Sequence, residues 1–146
     1  MTERATTTVW PGGMPTIGDT ASMEREVTAR DIALFSEISG DYNPLHYDER
    51  YAAATPFGRI VVQRGISTAI LNAVVAERLP GPGSVFLNLN LDFRAPVRPG
   101  DRITGEVEVL KVRNDKPIAT CRVSVTRDDG VIAVDGTAVT YTMPPP

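Results

Sequence analysis

Most of the second half of the chain alternates apolar and polar residues with a period of two, the pattern of strands that bury one face. The clearest stretch has apolar residues at Val85, Leu87, Leu89, Leu91 and Phe93. Three further segments continue the pattern, at about residues 103–109, 119–125 and 131–142. The turn sequences around them are PGD at 99–101, ND at 114–115 and DDG at 128–130. Consecutive strands joined by short turns predict an antiparallel meander.

The segment before the meander is helical and apolar on most sides. From about Arg64 to Leu79, apolar residues cover most of the helix circumference, which is typical of a buried helix. These residues are Ile66, Ala69, Ile70, Ala73 and Val74. The sequence PGPG at 80–83 ends the helix. A buried helix followed by a meander predicts an α+β fold in which the sheet curls around the helix.

Shorter elements are predicted upstream of this helix. A strand is expected at Met23–Val27. Thr28 can cap a helix that runs to about Ile38, and Asp48 can cap a helical turn that runs to Ala54. The apolar face of the longer helix has Ile32, Phe35 and Ile38 at i, i+3 and i+6.

The length of 146 residues is that of one domain. Residues 1–20 are rich in Thr, Gly and Pro and are predicted to form an extended lead-in, with Trp10 covering an edge of the core. The remaining residues, 21–146, are expected to form the single domain.

Composition narrows the class of function. The net charge is −3 with no block of like charges, so no nucleic-acid partner is expected. The apolar patches fall far short of a membrane span of about 20 residues, so no membrane partner is expected. Cys121 is the only cysteine, and no signal peptide is visible, which favours a cytoplasmic location. Cys121 is predicted to be a core residue, and no Cys/His cluster indicates a metal site.

His46 is the only histidine and lies in the segment SGDYNPLH at 39–46. Gly40 ends the preceding helix, and Pro44 biases Asn43 away from helical angles, so the segment must be irregular. Asp41 lies five residues before His46, and a carboxylate near an imidazole is a candidate acid/base pair. On spacing alone, the favoured interpretation is that Asp41 and Asn43 bind backbone donors in a turn.

A longer motif changes that interpretation. The sequence FSEISGDYNPLH at 35–46, with Ala52 six residues on, resembles the signature of the MaoC-like hydratases, also called hydratase 2, at each fixed position. The resemblance extends from about Ile17 to Tyr141 and includes FGRI at 57–60. It implies a hot-dog fold, with an antiparallel sheet wrapped around a central helix. It also implies hydration of a trans-2-enoyl-CoA to the (R)-3-hydroxyacyl product.

The resemblance also implies residue roles. Asp41 and His46 match the pair that holds one water molecule, and which of them takes which proton stays open. Asn43 is expected either to orient one of them through a side-chain hydrogen bond or to be a simple turn residue. Gly65 matches a glycine whose backbone N–H stabilises the thioester enolate at a helix N-terminus. No cofactor is expected, because coenzyme A is part of the substrate.

One position departs from the family pattern. The family usually has Ala-His or Val-His before the glycine, whereas this chain has Gln63-Arg64. Arg64 can bind a coenzyme phosphate or a carboxylate of the acyl group, or it can simply face solvent. Gln63, Arg64 and Phe57 of the FGRI sequence are therefore predicted to bind substrate, and the acyl group itself is left open.

Two alternative functions remain. Dehydration of a 3-hydroxyacyl group on acyl carrier protein would use the same residues with another carrier. A non-catalytic acyl-thioester-binding subunit would be of a different class, and the intact Asp41, Asn43, His46 and Gly65 argue against it. A homodimer is also expected, because two hot-dog sheets usually join edge to edge and thereby remove an exposed edge strand.

Overall fold

The computed structural model describes residues 9–146, and between residues 10 and 146 it has five strands, three α-helices and one 3-10 turn. In the first half, these elements are β1 (Thr20–Glu26), α1 (Ala29–Ser39), the 3-10 turn (Pro44–His46), α2 (Glu49–Ala53) and α3 (Arg64–Glu77). In the second half, they are β2 (Ser84–Phe93), β3 (Arg102–Val112), β4 (Ile118–Arg127) and β5 (Ile132–Thr142). The sheet order is β1-β3-β4-β5-β2, with all neighbours antiparallel. The α+β class is confirmed.

The core lies between α3 and one face of the sheet. The helix buries Ile66, Ile70, Leu71, Val74 and Val75. The sheet contributes alternate residues of its central strands: Val107, Val109, Cys121, Val123 and Val125. Burial of each such aliphatic side chain contributes roughly 1.5–3 kcal/mol. The helix is therefore held on the sheet mainly by apolar contacts along its length.

A glycine lets α3 approach the sheet closely. Gly105 in β3 lies beneath Ile70, and a Cβ at that position would be 2.7 Å from Ile70 Cγ2. Real Cβ atoms are not found at that separation, so the missing side chain sets the distance between helix and strand. Ile70 lies five residues after Gly65 in the same helix.

The alternation predicted for β2 is interrupted. Leu87 is an extra residue in β2, because Phe86 pairs with Thr140 and Asn88 pairs with the adjacent Val139. Phe86 therefore shares the core face with Leu89, whereas Val85 points to the other face. The prediction of one continuous apolar face from Val85 to Phe93 is wrong because it did not include this bulge.

β2 is also an edge strand, and its apolar side chains are incompletely covered. Val85 is 44% exposed, Leu87 56% and Leu89 39%. The sheet order leaves β2 paired with β5 on one side only. An apolar edge strand of this kind is open to pairing with another strand.

The upstream elements agree with expectation except at the end of α1. Ile32 is buried and Phe35 packs against the core, but Ile38 is 84% exposed. Six residues of an α-helix rotate Ile38 by about 120° from the direction of Ile32, so it points away from the core. The prediction that Ile38 belongs to the buried face is therefore wrong. Gly40 ends the helix in the left-handed conformation at φ 77°, and its N–H donates to Ser36 O.

The lead-in predicted at residues 1–20 is described only in part, since residues 1–8 lie outside the described residues. From residue 10 to residue 19 the chain is irregular, with turns at 11–12 and 17–18, and β1 begins at Thr20. Trp10 is 1% exposed in the core, and its indole N–H donates to Arg113 O at 2.8 Å. The longest described helix, α3, has 14 residues, and none in the described part of the chain could cross a membrane.

Candidate active site

The site is built on the irregular loop that connects α1 to the 3-10 turn. Asp41 Oδ1 accepts a hydrogen bond from Asn43 N at 3.0 Å. The Asn43 side chain then caps the 3-10 turn, because its Oδ1 accepts from Leu45 N at 3.1 Å. Pro44 begins that turn with its ring-fixed φ, and His46 ends it. Local side-chain bonds to the backbone therefore bring Asp41 and His46 together.

His46 is 8% exposed and its ring orientation is fixed. Its Nδ1 lies 2.6 Å from Val61 O. A carbonyl oxygen only accepts, so Nδ1 must carry a proton, and in the neutral ring Nε2 is then an acceptor. Nε2 lies 3.5 Å from Asp41 Oδ2. Two acceptors at this separation can receive the two hydrogens of a single bound water molecule.

Gly65 is the second residue of α3, where backbone N–H groups have no acceptor within the helix. The Phe35 ring packs directly over its Cα, and a Cβ on residue 65 would overlap the ring. Only glycine therefore fits beneath Phe35 as it stands. Residue 65 therefore has a backbone N–H at the positive end of the helix dipole and no side chain of its own. Both features suit a group that binds an anion.

All seven residues predicted from the sequence line one cavity of about 300 Å³. They are Asp41, Asn43, His46, Phe57, Gln63, Arg64 and Gly65. The Asn43 side chain contacts neither Asp41 nor His46 through a hydrogen bond in the described structure, since it accepts from Leu45 N. Its backbone N–H is the group that holds the Asp41 carboxylate.

Gln63 and Arg64 differ in their surroundings although they are adjacent. Gln63 is 1% exposed, and its amide nitrogen is already bonded to Ser36 Oγ and Ile32 O. Arg64 is exposed at the start of α3, with its guanidinium carbon 5.2 Å from the centre of the Phe93 ring. No ion pair involving Arg64 occurs within residues 9–146.

A second, larger cavity of about 710 Å³ also reaches His46. Its lining includes Arg50, Arg59 and Arg98 together with Glu49. Arg98 lines this larger cavity and Phe57 lines the smaller one. Arg98 Nη2 donates to Phe57 O at 2.7 Å, so this hydrogen bond links the walls of the two cavities. Burial, and the positive charges of Arg59 and Arg127 nearby, lower the pKa of Arg98. The cavity is therefore a basic cleft that extends from the imidazole.

Sequence reasoning missed several residues of the site. Ser36 lies within the motif but was given no role, although it is buried and hydrogen bonded to Asp41 O at 2.8 Å. Tyr47 follows His46 and bonds to Ser36 Oγ through its hydroxyl. Arg50 and Arg59 lie nine residues apart with no shared periodicity, so no local pattern marked them as one cleft.

Comparison with known proteins identifies the family. Residues 15–131 match the model of the MaoC like domain. The chain belongs to the MaoC-like domain family. It is 39% identical over 123 residues to the (R)-specific enoyl-CoA hydratase of Aeromonas caviae, covering 84% of this chain and 92% of that protein. It is 37% identical over 123 residues to a 3-hydroxybutyryl-CoA dehydratase of Methylorubrum extorquens, covering 84% and 78%.

Solved structures of MaoC-like proteins agree with this assignment. The structure of the (R)-hydratase of A. caviae involved in PHA biosynthesis superposes with a TM-score of 0.84 at 37% identity, covering 88% of this chain and 98% of that one. The predicted family and hot-dog fold are confirmed. Both curated relatives carry hydro-lyase names, so the prediction of an enzyme of the hydro-lyase class is confirmed as well.

Proposed function

We propose that this protein adds water to the double bond of a trans-2-enoyl-CoA and forms the (R)-3-hydroxyacyl-CoA. One observation carries the proposal above the others. Asp41 Oδ2 and His46 Nε2 face each other at 3.5 Å and line the same cavity as Gly65. The (R) configuration and the coenzyme A thioester are those named for the A. caviae relative.

The pair of acceptors orients the attacking water. Water that donates one hydrogen to Asp41 and one to His46 has its oxygen lone pairs free to face C3 of the substrate. As the oxygen bonds to C3, Nε2 takes one proton, and the π electrons of the C2–C3 bond move to the thioester oxygen. The imidazolium formed lies between the Asp41 carboxylate and Val61 O, which both stabilise positive charge.

The enolate intermediate needs a hydrogen-bond donor at its oxygen. The Gly65 N–H supplies it, assisted by the positive end of the α3 dipole. Collapse of the enolate then protonates C2 from the protonated member of the pair, and the product has gained H at C2 and OH at C3. The enzyme returns to its starting state. Run backwards, the same steps dehydrate a 3-hydroxyacyl thioester.

The basic cleft beside His46 suits the phosphate groups of coenzyme A. Arg50, Arg59 and Arg98 line it, and arginine is well adapted to phosphate oxygens. Because the cleft and the smaller cavity both reach His46, a thioester can lie at their junction with its coenzyme in the cleft. No separate cofactor takes part in this scheme.

The protein is also proposed to act as a homodimer. The exposed apolar edge strand β2 would pair with β2 of a second copy and continue the sheet. Phe93, which supports Arg64, belongs to the same strand, so the site would lie close to the interface. Sedimentation at micromolar concentration should show twice the chain mass of 15.8 kDa, and a single monomeric species would contradict the dimer.

A hydration assay with crotonyl-CoA tests the function. Asp41→Asn and His46→Ala should each lower kcat by at least ~100-fold, the scale of one lost general acid or base. Asp48→Asn is the matched control, because Asp48 is a carboxylate of the same segment that only caps α2. It should retain kcat within about twofold, since asparagine also caps helices. The product should be oxidised only by an (R)-specific dehydrogenase.

Other outcomes separate the alternatives. The wild-type protein could fail to hydrate enoyl-CoA and instead dehydrate 3-hydroxyacyl groups on acyl carrier protein. In that case the proposed carrier would be wrong, and the proposed catalytic residues would stand. Wild-type protein inactive on both carriers at several chain lengths would refute catalysis and leave a binding subunit. Full activity in both Asp41→Asn and His46→Ala would refute the residue assignment alone.

A further inference from the structure

A buried polar cluster lies behind the catalytic loop, between α1 and the start of α3. It consists of Ser36, Tyr47 and Gln63 with the backbone oxygens of Ile32 and Asp41, and is called the Gln63 cluster below. Gln63 Nε2 donates to Ser36 Oγ at 3.0 Å and to Ile32 O at 3.2 Å, and lies 3.5 Å from Asp41 O. Ser36 Oγ donates to Asp41 O at 2.8 Å and is hydrogen bonded to Tyr47.

The donors and acceptors of the cluster fix the orientation of the Gln63 amide. Ile32 O and Asp41 O can only accept, so the nitrogen of Gln63 and not its oxygen must face them. Ser36 gives its single hydroxyl hydrogen to Asp41 O and accepts from Gln63 and Tyr47. The amide therefore acts as a donor that joins α3 to both α1 and the catalytic loop.

Gln63 occupies this place at an energetic cost. Its Oε1 is buried and has no hydrogen-bond partner within residues 9–146. A buried acceptor left unpaired is destabilising. An apolar side chain of similar length would fill the same volume without that cost, but it would lack the amide nitrogen that bonds to Ser36 and Ile32.

The cluster touches each part of the proposed machinery. Asp41 supplies one of its acceptors, Tyr47 directly follows His46, and Gln63 lies two residues before Gly65. We propose that Gln63, acting with Ser36, is a positioning residue that sets the Asp41 carboxylate relative to His46 and the Gly65 N–H. This inference rests on the proposed hydration. It also changes the role of Gln63, which was expected from the sequence to contact substrate.

The kinetic effect should appear in kcat rather than in KM. A misplacement of about 1 Å in a catalytic group can lower a rate by as much as ~100-fold, whereas the groups that bind the coenzyme would be untouched. Gln63→Met removes the donor and keeps the side-chain length, and Ser36→Ala removes only a hydroxyl. Each should lower kcat at least ~10-fold and leave KM within about threefold.

Thr140→Val is the matched control. Thr140 is also fully buried, with a hydroxyl that has no partner among the described residues, but it lies on β5. Removal of its polar atom therefore tests the general effect of altering a buried polar group. It should leave kcat within about twofold of wild type.

A second measurement does not depend on turnover. His46 is the only histidine of the chain, so its ring-proton NMR signals need no assignment and can be compared between variants at one fixed pH. The chemical shifts of these signals respond to the position of the nearby Asp41 carboxylate. Gln63→Met and Ser36→Ala should move the signals in the same direction as Asp41→Asn does and by a smaller amount, and Thr140→Val should not move them.

The results separate this inference from the proposed function. If Asp41→Asn is inactive while Gln63→Met and Ser36→Ala keep wild-type kcat and wild-type His46 chemical shifts, the positioning role is wrong and the hydration stands. If the wild-type protein has no hydratase activity and the His46 chemical shifts still move as expected, the positioning holds and the hydration is wrong. If Gln63→Met does not fold, Ser36→Ala decides alone, and unchanged kcat and unchanged His46 chemical shifts there refute the role.

Discussion

The segment that carries the site and the meander that follows it hold their shapes by different means. In the site segment, residues 39–65, many of the bonds that fix the backbone come from side chains, including those of Asp41, Asn43, Asp48, Thr55 and His46. In the meander, residues 84–142, the strands bond to one another along antiparallel ladders of backbone hydrogen bonds, each interrupted by one register shift. One region depends on particular residues, and the other on a repeated pattern.

This difference predicts how the two regions respond to substitution. A change in the meander removes apolar burial and lowers the free energy of unfolding without moving the reacting groups. A change in the site segment removes a specific bond and alters geometry at the site even where the fold survives. Three substitutions test the contrast, in order of expected effect.

The largest effect is expected for Gly65→Ala. Its Cβ would overlap the Phe35 ring and stand beside the N–H that we propose binds the enolate oxygen. We expect kcat/KM for crotonyl-CoA to fall at least ~100-fold, as after loss of one oxyanion donor. The displaced ring should lower the free energy of unfolding in urea by about 1–3 kcal/mol.

The double variant with Phe35→Leu separates these two effects. The smaller side chain relieves the overlap, so stability should recover while activity does not. Recovery of both would show that Gly65 is required for packing against Phe35 and not for access of the thioester.

The contrast between the regions also explains what the sequence could predict. Val107, Cys121 and Val123 follow strict alternation, and each is fully buried as expected. The motif predicted Asp41 and His46 as site residues and the family resemblance predicted Gly65, and all three line one cavity, while their catalytic roles stay predictions. The burial of Gln63 was not predictable, because it depends on Ser36, which lies 27 residues away in sequence, and a polar residue before a helix ordinarily faces solvent.

The failure in β2 has a different cause. Its alternation is real, but the bulge at Leu87 shifts the register, and no local sequence signal marks that position. Position at the edge of the sheet then leaves Leu89 partly exposed despite its apolar character. Both facts follow from which strand pairs with which, and strand order is set by contacts between distant segments.

The next effect is expected in the meander, for Val123→Ala in β4. Val123 is fully buried in the core beneath α3. Loss of two methyl groups should lower the free energy of unfolding in urea by about 2 kcal/mol. Turnover of the folded protein should stay within about twofold of wild type. A tenfold fall in kcat would mean that the sheet core and the site segment are coupled, and the contrast drawn between them would fail.

The smallest effect is expected for the pH dependence of stability, and it arises from Cys121 in β4 of the meander. Burial raises the pKa of the Cys121 thiol to about 11 from its ordinary value of 9.0. The unfolded chain therefore ionises first as the pH rises, so the stabilisation is complete below pH 9 and is lost between pH 9 and pH 11. At pH 10 the loss should be about 1 kcal/mol.

Cys121→Ala provides the comparison that isolates this effect. Lysine and tyrosine side chains titrate in the same range in both proteins, so only the difference between the two urea-unfolding curves reports on the thiol. Wild type should lose about 1 kcal/mol more than Cys121→Ala between pH 8 and pH 10. Parallel losses would mean that the thiol ionises as readily in the folded sheet as in the unfolded chain, which its complete burial makes unfavourable.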